Sequence, residues 1–393
     1  MKRVLFVDDE PQVLTLLQSS MAPLASEWEM EFLPSAEQAL SSLAHRPADV
    51  VLADIHLLGM GGLQLLGEVK SRYPQTVRLA FSGCAHQDLV VKGLAVAHQV
   101  LPKPLAPALV KATISRVCAQ RDVLLNAALR QLVGAIHHLP SLPSLYQELE
   151  AAMQAADSSA DKAAAIIATD PAMVTNLLHV VNSAYFNLRR TIASPAHAVA
   201  LLGLGAVKSL VLSLKVFDEV QRHPQLKPMI ERLWQHGVAV ARLAKALAVQ
   251  EGMGTLSVEH AFMAGLLHDI GRLVLAANLP KEFAAWEQRA AKPGDTPLSA
   301  EQDIFGATHA EVGAYLLSAW GLSDALVEAV MFHHRPMAAE TSGMTVLTAI
   351  HVANAWMDSS LPQGEGGQPD PTYLAQIGLA DRAVKWTAVR QAA

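Results

Sequence analysis

Two sets of residues in this 393-residue chain have the types needed for chemistry. The first is Asp8, Asp9 and Asp54, followed by Ser82 and Lys103. Three carboxylates brought together repel one another, so they imply a hard cation with oxygen ligands, such as Mg2+. A hydroxyl and a lysine beside a cation-bound carboxylate suit phosphoryl transfer. The cation and the ammonium neutralise charge on the transferred group, and the hydroxyl hydrogen-bonds to it. The second set is rich in imidazole: His236, His268-Asp269, His309 and His333-His334. The His268-Asp269 pair stands inside the otherwise apolar run 265–272. Buried ionisable groups are costly unless paired, hydrogen-bonded or bound to metal. Either the two side chains satisfy each other and nearby backbone, or they belong to a metal centre. Imidazole and carboxylate suit Fe, Mn, Zn or Ni, so ligand type alone does not choose the ion.

The elements that must position the first set are short. Runs 4–7, 29–32, 50–53, 77–81 and 100–101 have strand character, and 14–21 and 36–43 are amphipathic. This alternation predicts an α/β doubly wound domain with a five-stranded parallel sheet over residues 1–120. Asp8 and Asp9 then close the first strand, Asp54 the third, Ser82 the fourth and Lys103 the fifth. The crevice beyond those carboxyl ends is where such sheets bind ligands.

From 107 to 138 apolar residues recur at three- and four-residue steps, including Leu109, Val117, Leu124, Leu129 and Val133. The spacing predicts one continuous helix, with 121–138 as the connector. It is either a stiff spacer or a carrier of rotation or of a dimer contact. Leu139-Pro140-Ser141-Leu142-Pro143 breaks it. Residues 139–358 read as an all-α domain, with Asp170-Pro171 as an N-cap followed by a first-turn proline. Gly203 and Gly205 are expected to permit close helix approach. The tail, 359–393, reads as a loop and then a short helix or two. A bundle can bring ligands from several helices to one interior point.

The formal net charge is −6 with no basic block, which argues against DNA as a partner. Cys84 and Cys118 show no paired spacing, as expected of a reduced, cytoplasmic setting. No signal peptide or membrane span is expected.

The first set, in this order, resembles the response-regulator receiver domain of two-component signalling. The resemblance rests on Asp8-Asp9, Asp54, Ser82-Gly83 and Lys103-Pro104. It implies a flavodoxin-like fold with Asp54 as phosphoacceptor. Asp8, Asp9 and the His56 backbone carbonyl would surround Mg2+, with Ser82 and Lys103 sensing the phosphoryl group. It also implies a sensor histidine kinase or phosphotransfer protein as partner. Two departures stand out. The loop after Asp54 lacks the usual Met-Pro, and Val100 replaces the usual switching aromatic.

The second set, with 139–143, Asp170-Pro171, Asn182-Ser183 and 265–271, resembles the HDOD family. That family is related to the HD and HD-GYP metal-dependent phosphohydrolases. The resemblance implies a regulatory output domain acting on an unidentified signalling protein or a nucleotide ligand, while a homodimer would rest on the connector. His236, His268, Asp269, His309, His333 and His334 match six ligand positions of the HD-GYP enzymes, which cleave cyclic di-GMP. Two carboxylate positions are lost: Arg232 stands at one, and Asn354, a weaker neutral ligand, at the other. The Gly-Tyr-Pro loop is missing, and Arg272 stands near a phosphate-facing position. A single transition metal remains compatible with this set, and a non-catalytic role is favoured over a phosphodiesterase gated by Asp54.

Overall fold

The computed structural model describes residues 1–83, 92–136, 139, 148–149, 151–153, 158–182, 191–213, 227–290, 292, 295–357 and 367–392. Cys84, residues 140–143, Ser183 and residues 359–366 lie outside these. The chain forms two compact units. One comprises residues 1–137 with 179–191 and 318–321, and the other comprises the remainder.

The first unit holds an all-parallel sheet in the order β2-β1-β3-β4-β5. Its strands are β1 (Lys2–Val7), β2 (Trp28–Leu33), β3 (Val50–Asp54), β4 (Val77–Ser82) and β5 (Gln99–Pro102). Every residue of β3 and β4 is buried, as expected of strands covered by helices on both faces. The flanking helices include α1 (Pro11–Met21), α2 (Ala36–His45), α3 (Gly62–Arg72) and α4 (Pro107–Val123). The register pairs Val7 with Ala53, Asp54 with Phe81 and Ser82 with Pro102. The strand ends are therefore level, and the polar residues that follow them emerge together. Gly62 is required where α3 begins: a Cβ there would lie 1.7 Å from the Asp54 carbonyl oxygen.

The connector departs from expectation. α4 stops at Val123, where Leu124 turns to extended backbone (φ −73°, ψ 98°). The Asn126 side chain then accepts from the Ala128 and Leu129 amides and caps a separate helix, α5 (Ala127–Ala135). The apolar spacing ran through both helices, but the Asn126 cap divides them. α5 packs back onto the sheet unit. The fully buried Arg78 guanidinium donates to the Gly134 carbonyl, and also to Val96, Pro74 and Thr76. A Cβ at Gly134 would lie 2.3 Å from the Pro74 oxygen, so the approach is that close.

The rest is helical: α6 (Ala160–Ile167), α7 (Pro171–Val181), α8 (Pro195–Ser213), α9 (Lys227–Gln250), α10 (Thr255–Leu267) and α11 (Ile270–Asn278). There follow α12 (Pro280–Ala290), α13 (Pro297–Phe305), α14 (His309–Ala319), α15 (Asp324–Phe332), α16 (Val346–Met357), α17 (Pro371–Gln376) and α18 (Arg382–Ala392). Asp170 caps α7 through the Ala172 and Met173 amides. α16 is buried from Val346 to Trp356, and its polar side chains Thr348, His351 and Asn354 find hydrogen-bond partners inside the unit. It packs against α9, α10 and α15. α18 docks on α9, with Trp386 fully buried and its Nε1 donating to Glu251 (2.8 Å). Gly203 does not serve close packing. It kinks α8 with φ 77°, and among the described residues a Cβ there would meet nothing within 4 Å. Among the described residues no helix is long and apolar enough to cross a membrane.

Candidate functional site

At the carboxyl end of the sheet, oxygens of Asp8, Asp9 and Asp54 lie within 4.8 Å of one another. Lys103 Nζ sits 2.7 Å from Asp54 Oδ2, 3.0 Å from Asp8 Oδ2 and 3.4 Å from Glu10 Oε1. Burial opposes the charge on Lys103, but Asp54 and Asp8 outweigh it and hold its pKa above that of free lysine. Burial raises the Asp8 pKa despite the Glu10 amide and Lys103. The Leu58 amide donates to Asp9 (3.1 Å) and the His56 amide to Asp54 (3.2 Å), so the 55–61 loop is tied to the acids. Ser82 is buried at the end of β4. The Asp8 Oδ2 atom is buried against the Lys103 ammonium. Three carboxylates with such an oxygen are a suitable donor set for Mg2+. Val100 is fully buried in β5.

In the helical unit, six residues from four segments meet. His236 is on α9. His268 and Asp269 do not lie on a helix as expected but at the junction of α10 and α11. His309 opens α14, and His333-His334 follow α15. Close backbone approach assembles them. A Cβ at Gly265 would lie 2.6 Å from Ala241 Cα on α9, and one at Gly271 would lie 1.9 Å from the His309 carbonyl oxygen. Only glycine lets α11 bring Asp269 against the start of α14.

The ligand atoms form two halves around Asp269. On one side, His236 Nε2 lies 3.2 Å from His268 Nε2 and 3.0 Å from Asn354 Oδ1. Asp269 Oδ2 lies 3.5 Å from His268 Nε2 and 3.9 Å from His236 Nε2. On the other side, His309 Nε2 lies 3.1 Å from Asp269 Oδ1, 3.3 Å from His333 Nε2 and 3.2 Å from His334 Nε2. Of the six residues only His334 is partly exposed.

Hydrogen bonds behind the rings orient them. His268 Nδ1 donates to Gly265 O and His333 Nδ1 to Val330 O, both at 2.7 Å, which leaves each Nε2 as a lone pair. Glu301, 1 % exposed on α13, accepts from His309 Nδ1 (2.7 Å) and from the His309 amide (2.8 Å). A carboxylate behind a ligating imidazole fixes its tautomer and raises its basicity. Glu301 escaped the sequence reading. Its signal is a charge in the buried stripe Pro297, Ala300, Glu301, Phe305.

The charges balance locally. Burial would raise the Asp269 pKa, but Arg272 and then His268 hold it well below the usual range. Glu301 is likewise lowered against burial, by His309 and Arg272. Burial and Arg272 oppose a proton on His309, yet Glu301 and Asp269 push its pKa up to about 9. Burial takes His268 down to about 4 and His333 and His334 well below ordinary histidine. Arg272 is not displayed for a phosphate. It is 2 % exposed, 3.1 Å from Asp269 Oδ2 and 3.4 Å from Glu301 Oε1, and lies over the Trp286 ring. Arg232 points to solvent and pairs with Glu287 (2.9 Å).

The donors fit a transition metal. Bonds of about 2.1 Å give ligand–ligand edges of about 3.0–3.4 Å, and the separations around His309 fall in that range. Asp269 Oδ1 is buried and faces His309 Nε2 and no other donor among the described residues, as a ligand oxygen would.

Residues 139–336 match the HDOD domain family, and residues 4–115 match the response regulator receiver domain. An uncharacterized protein of Treponema pallidum is 26% identical over 246 residues, covering 62% of this chain and 47% of its own length. The chain thus spans about half of that relative. The Regulator of RpoS of Escherichia coli is 24% identical over 286 residues, covering 72% and 75% of the two chains. Among solved structures, the MmoQ response regulator of Methylococcus capsulatus is 24% identical, with a TM-score of 0.48 over 64% of this chain and 97% of that one. The chain belongs to the HDOD family and joins to that domain, on its N-terminal side, a response regulator receiver domain.

Proposed function

We propose that this chain is a phosphorylation-controlled regulator whose HDOD domain acts mainly by binding another signalling protein. A sensor histidine kinase or phosphotransfer protein in the cytoplasm phosphorylates Asp54. Asp8, Asp9 and the His56 carbonyl hold Mg2+, while Ser82 and Lys103 engage the phosphoryl group. The reading divides the chain into an input domain at 1–120, a linking segment at 121–138, an output domain at 139–358 and a tail at 359–393. The observation that carries it is a contrast. The first pocket has three carboxylates and a lysine 2.7 Å from Asp54. The helical centre has one carboxylate, Asp269, among its candidate ligands. Two-metal hydrolysis clamps attacking and leaving oxygens between closely spaced cations, and one carboxylate supplies little negative charge to hold them.

Acetyl phosphate with Mg2+ should label the wild-type chain and leave Asp54→Ala unlabelled. Equal labelling of the two would end the reading. A second reading, a phosphodiesterase gated by Asp54, is favoured by the clustering of Asp269, His309, His333 and His334. It requires turnover of a cyclic dinucleotide by protein reconstituted with Fe, Mn, Zn or Ni. No turnover in either phosphorylation state would leave only the first.

A further inference from the structure

We propose that the helical centre holds one metal, on the His309 side, and that Arg272 and Asn354 take the place of a second. The inference rests on the metal-binding reading of this centre and deepens it. Asp269 turns a different oxygen to each half. Oδ1 is buried and faces His309 Nε2 at 3.1 Å. Oδ2 faces His268 and His236, and it is the oxygen that the Arg272 guanidinium engages at 3.1 Å.

The two halves differ in what they still need. In the half with His236, the protein satisfies its own polar atoms. His236 Nε2 lies within hydrogen-bond reach of the Asn354 carbonyl oxygen and of the acceptor nitrogen of His268. The positive charge that Asp269 Oδ2 requires is already present on Arg272. Glu301 and the face of Trp286 hold that guanidinium, and it is 2 % exposed. A second dication there would have to displace the arginine or sit beside it at close range, and repulsion between buried like charges is severe.

In the half with His309, three imidazole Nε2 atoms and Asp269 Oδ1 converge instead. With Nδ1 committed to Glu301 and to Val330 O, His309 and His333 turn their Nε2 atoms to the same point, alongside Asp269 Oδ1, where an ion would take the place of the proton that His309 holds. His334, partly exposed, completes the group and gives it a side open to solvent. One closed ring links both halves: His309–Glu301 2.7 Å, Glu301–Arg272 3.4 Å, Arg272–Asp269 3.1 Å and Asp269–His309 3.1 Å. The arginine that closes one half therefore also supports Glu301, which orients the other.

The test is metal stoichiometry of the full-length chain after reconstitution with Mn2+ and removal of unbound ion, with Mn2+ electron paramagnetic resonance as a second readout. Wild type should carry one ion with the spectrum of an isolated Mn2+. His236→Ala should keep it, and His334→Ala should lose it. Asn354→Asp combined with Arg272→Met should take up a second ion and show a spin-coupled pair. Loss of the ion from His236→Ala with retention in His334→Ala, or two ions in wild type, would overturn the one-sided assignment while leaving metal binding intact. No ion in wild type at any loading would overturn the metal reading itself. The two histidine variants decide the matter even if the double variant does not fold.

Discussion

Glu301 shows how much a residue outside the ligand set can control. It accepts two hydrogen bonds from His309, one from the ring and one from the backbone. Glu301→Gln keeps the shape but presents a neutral amide to His309 Nδ1. Partners of this kind contribute about 10–100-fold in metal affinity, and calorimetric titration of Mn2+ into the two proteins should show a loss in that range. His260 offers a test away from any ligand. It is buried against Ser323 (3.3 Å), and burial lowers its pKa below the usual 6.5. Above that value both folded and unfolded chains carry it neutral. As pH falls through 6.5 the unfolded chain takes the proton first, so stability is lost on the acid side. Urea midpoints measured from pH 7.5 to 5 should fall less steeply in His260→Gln than in wild type.

Whole elements explain what could be read from sequence and what could not. The strand ends carrying Asp8, Asp54, Ser82 and Lys103 were legible because buried parallel strands are apolar runs, and the polar residue that ends each run is conspicuous. The single-helix connector was a misreading, because its apolar spacing continues through the Asn126 cap. Glu301 was hidden because periodicity places charges on the solvent face, and here the stripe turns one inward. The split of Asp269 between two halves depends on where Gly271 lets α11 settle, which no spacing encodes. Gly271→Ala should therefore destabilise the chain strongly. Its Cβ would meet the His309 carbonyl at 1.9 Å, a backbone clash that costs at least the ~1–3 kcal/mol typical of overpacking. A lowered denaturation midpoint together with weaker metal binding checks it. Likewise, Arg78→Met removes the donor that holds Gly134. Amide hydrogen exchange across Ala127–Ala135 should accelerate, while β3 exchanges at its wild-type rate.

For the molecule as a whole, two compact units, each with its own candidate cation site, predict two separable responses. A ligand that binds only the folded state stabilises what it binds. Stripping transition metal should lower the thermal transition of the helical unit, and Mg2+ with acetyl phosphate should raise that of the sheet unit. Differential scanning calorimetry of wild type, Asp54→Ala and His334→Ala would assign each shift. Strand β4 has a further consequence for how an input could travel. Ser82 closes it at the acidic pocket, and Arg78, four residues back, grips the start of the polypeptide's exit. The two are about 13 Å apart along an extended strand. Beside it, β5 carries the small, fully buried Val100, paired with Ala80. A shift of Ser82 along β4 would therefore act as a pull on a tie rod, and it would be read as faster amide exchange across α5.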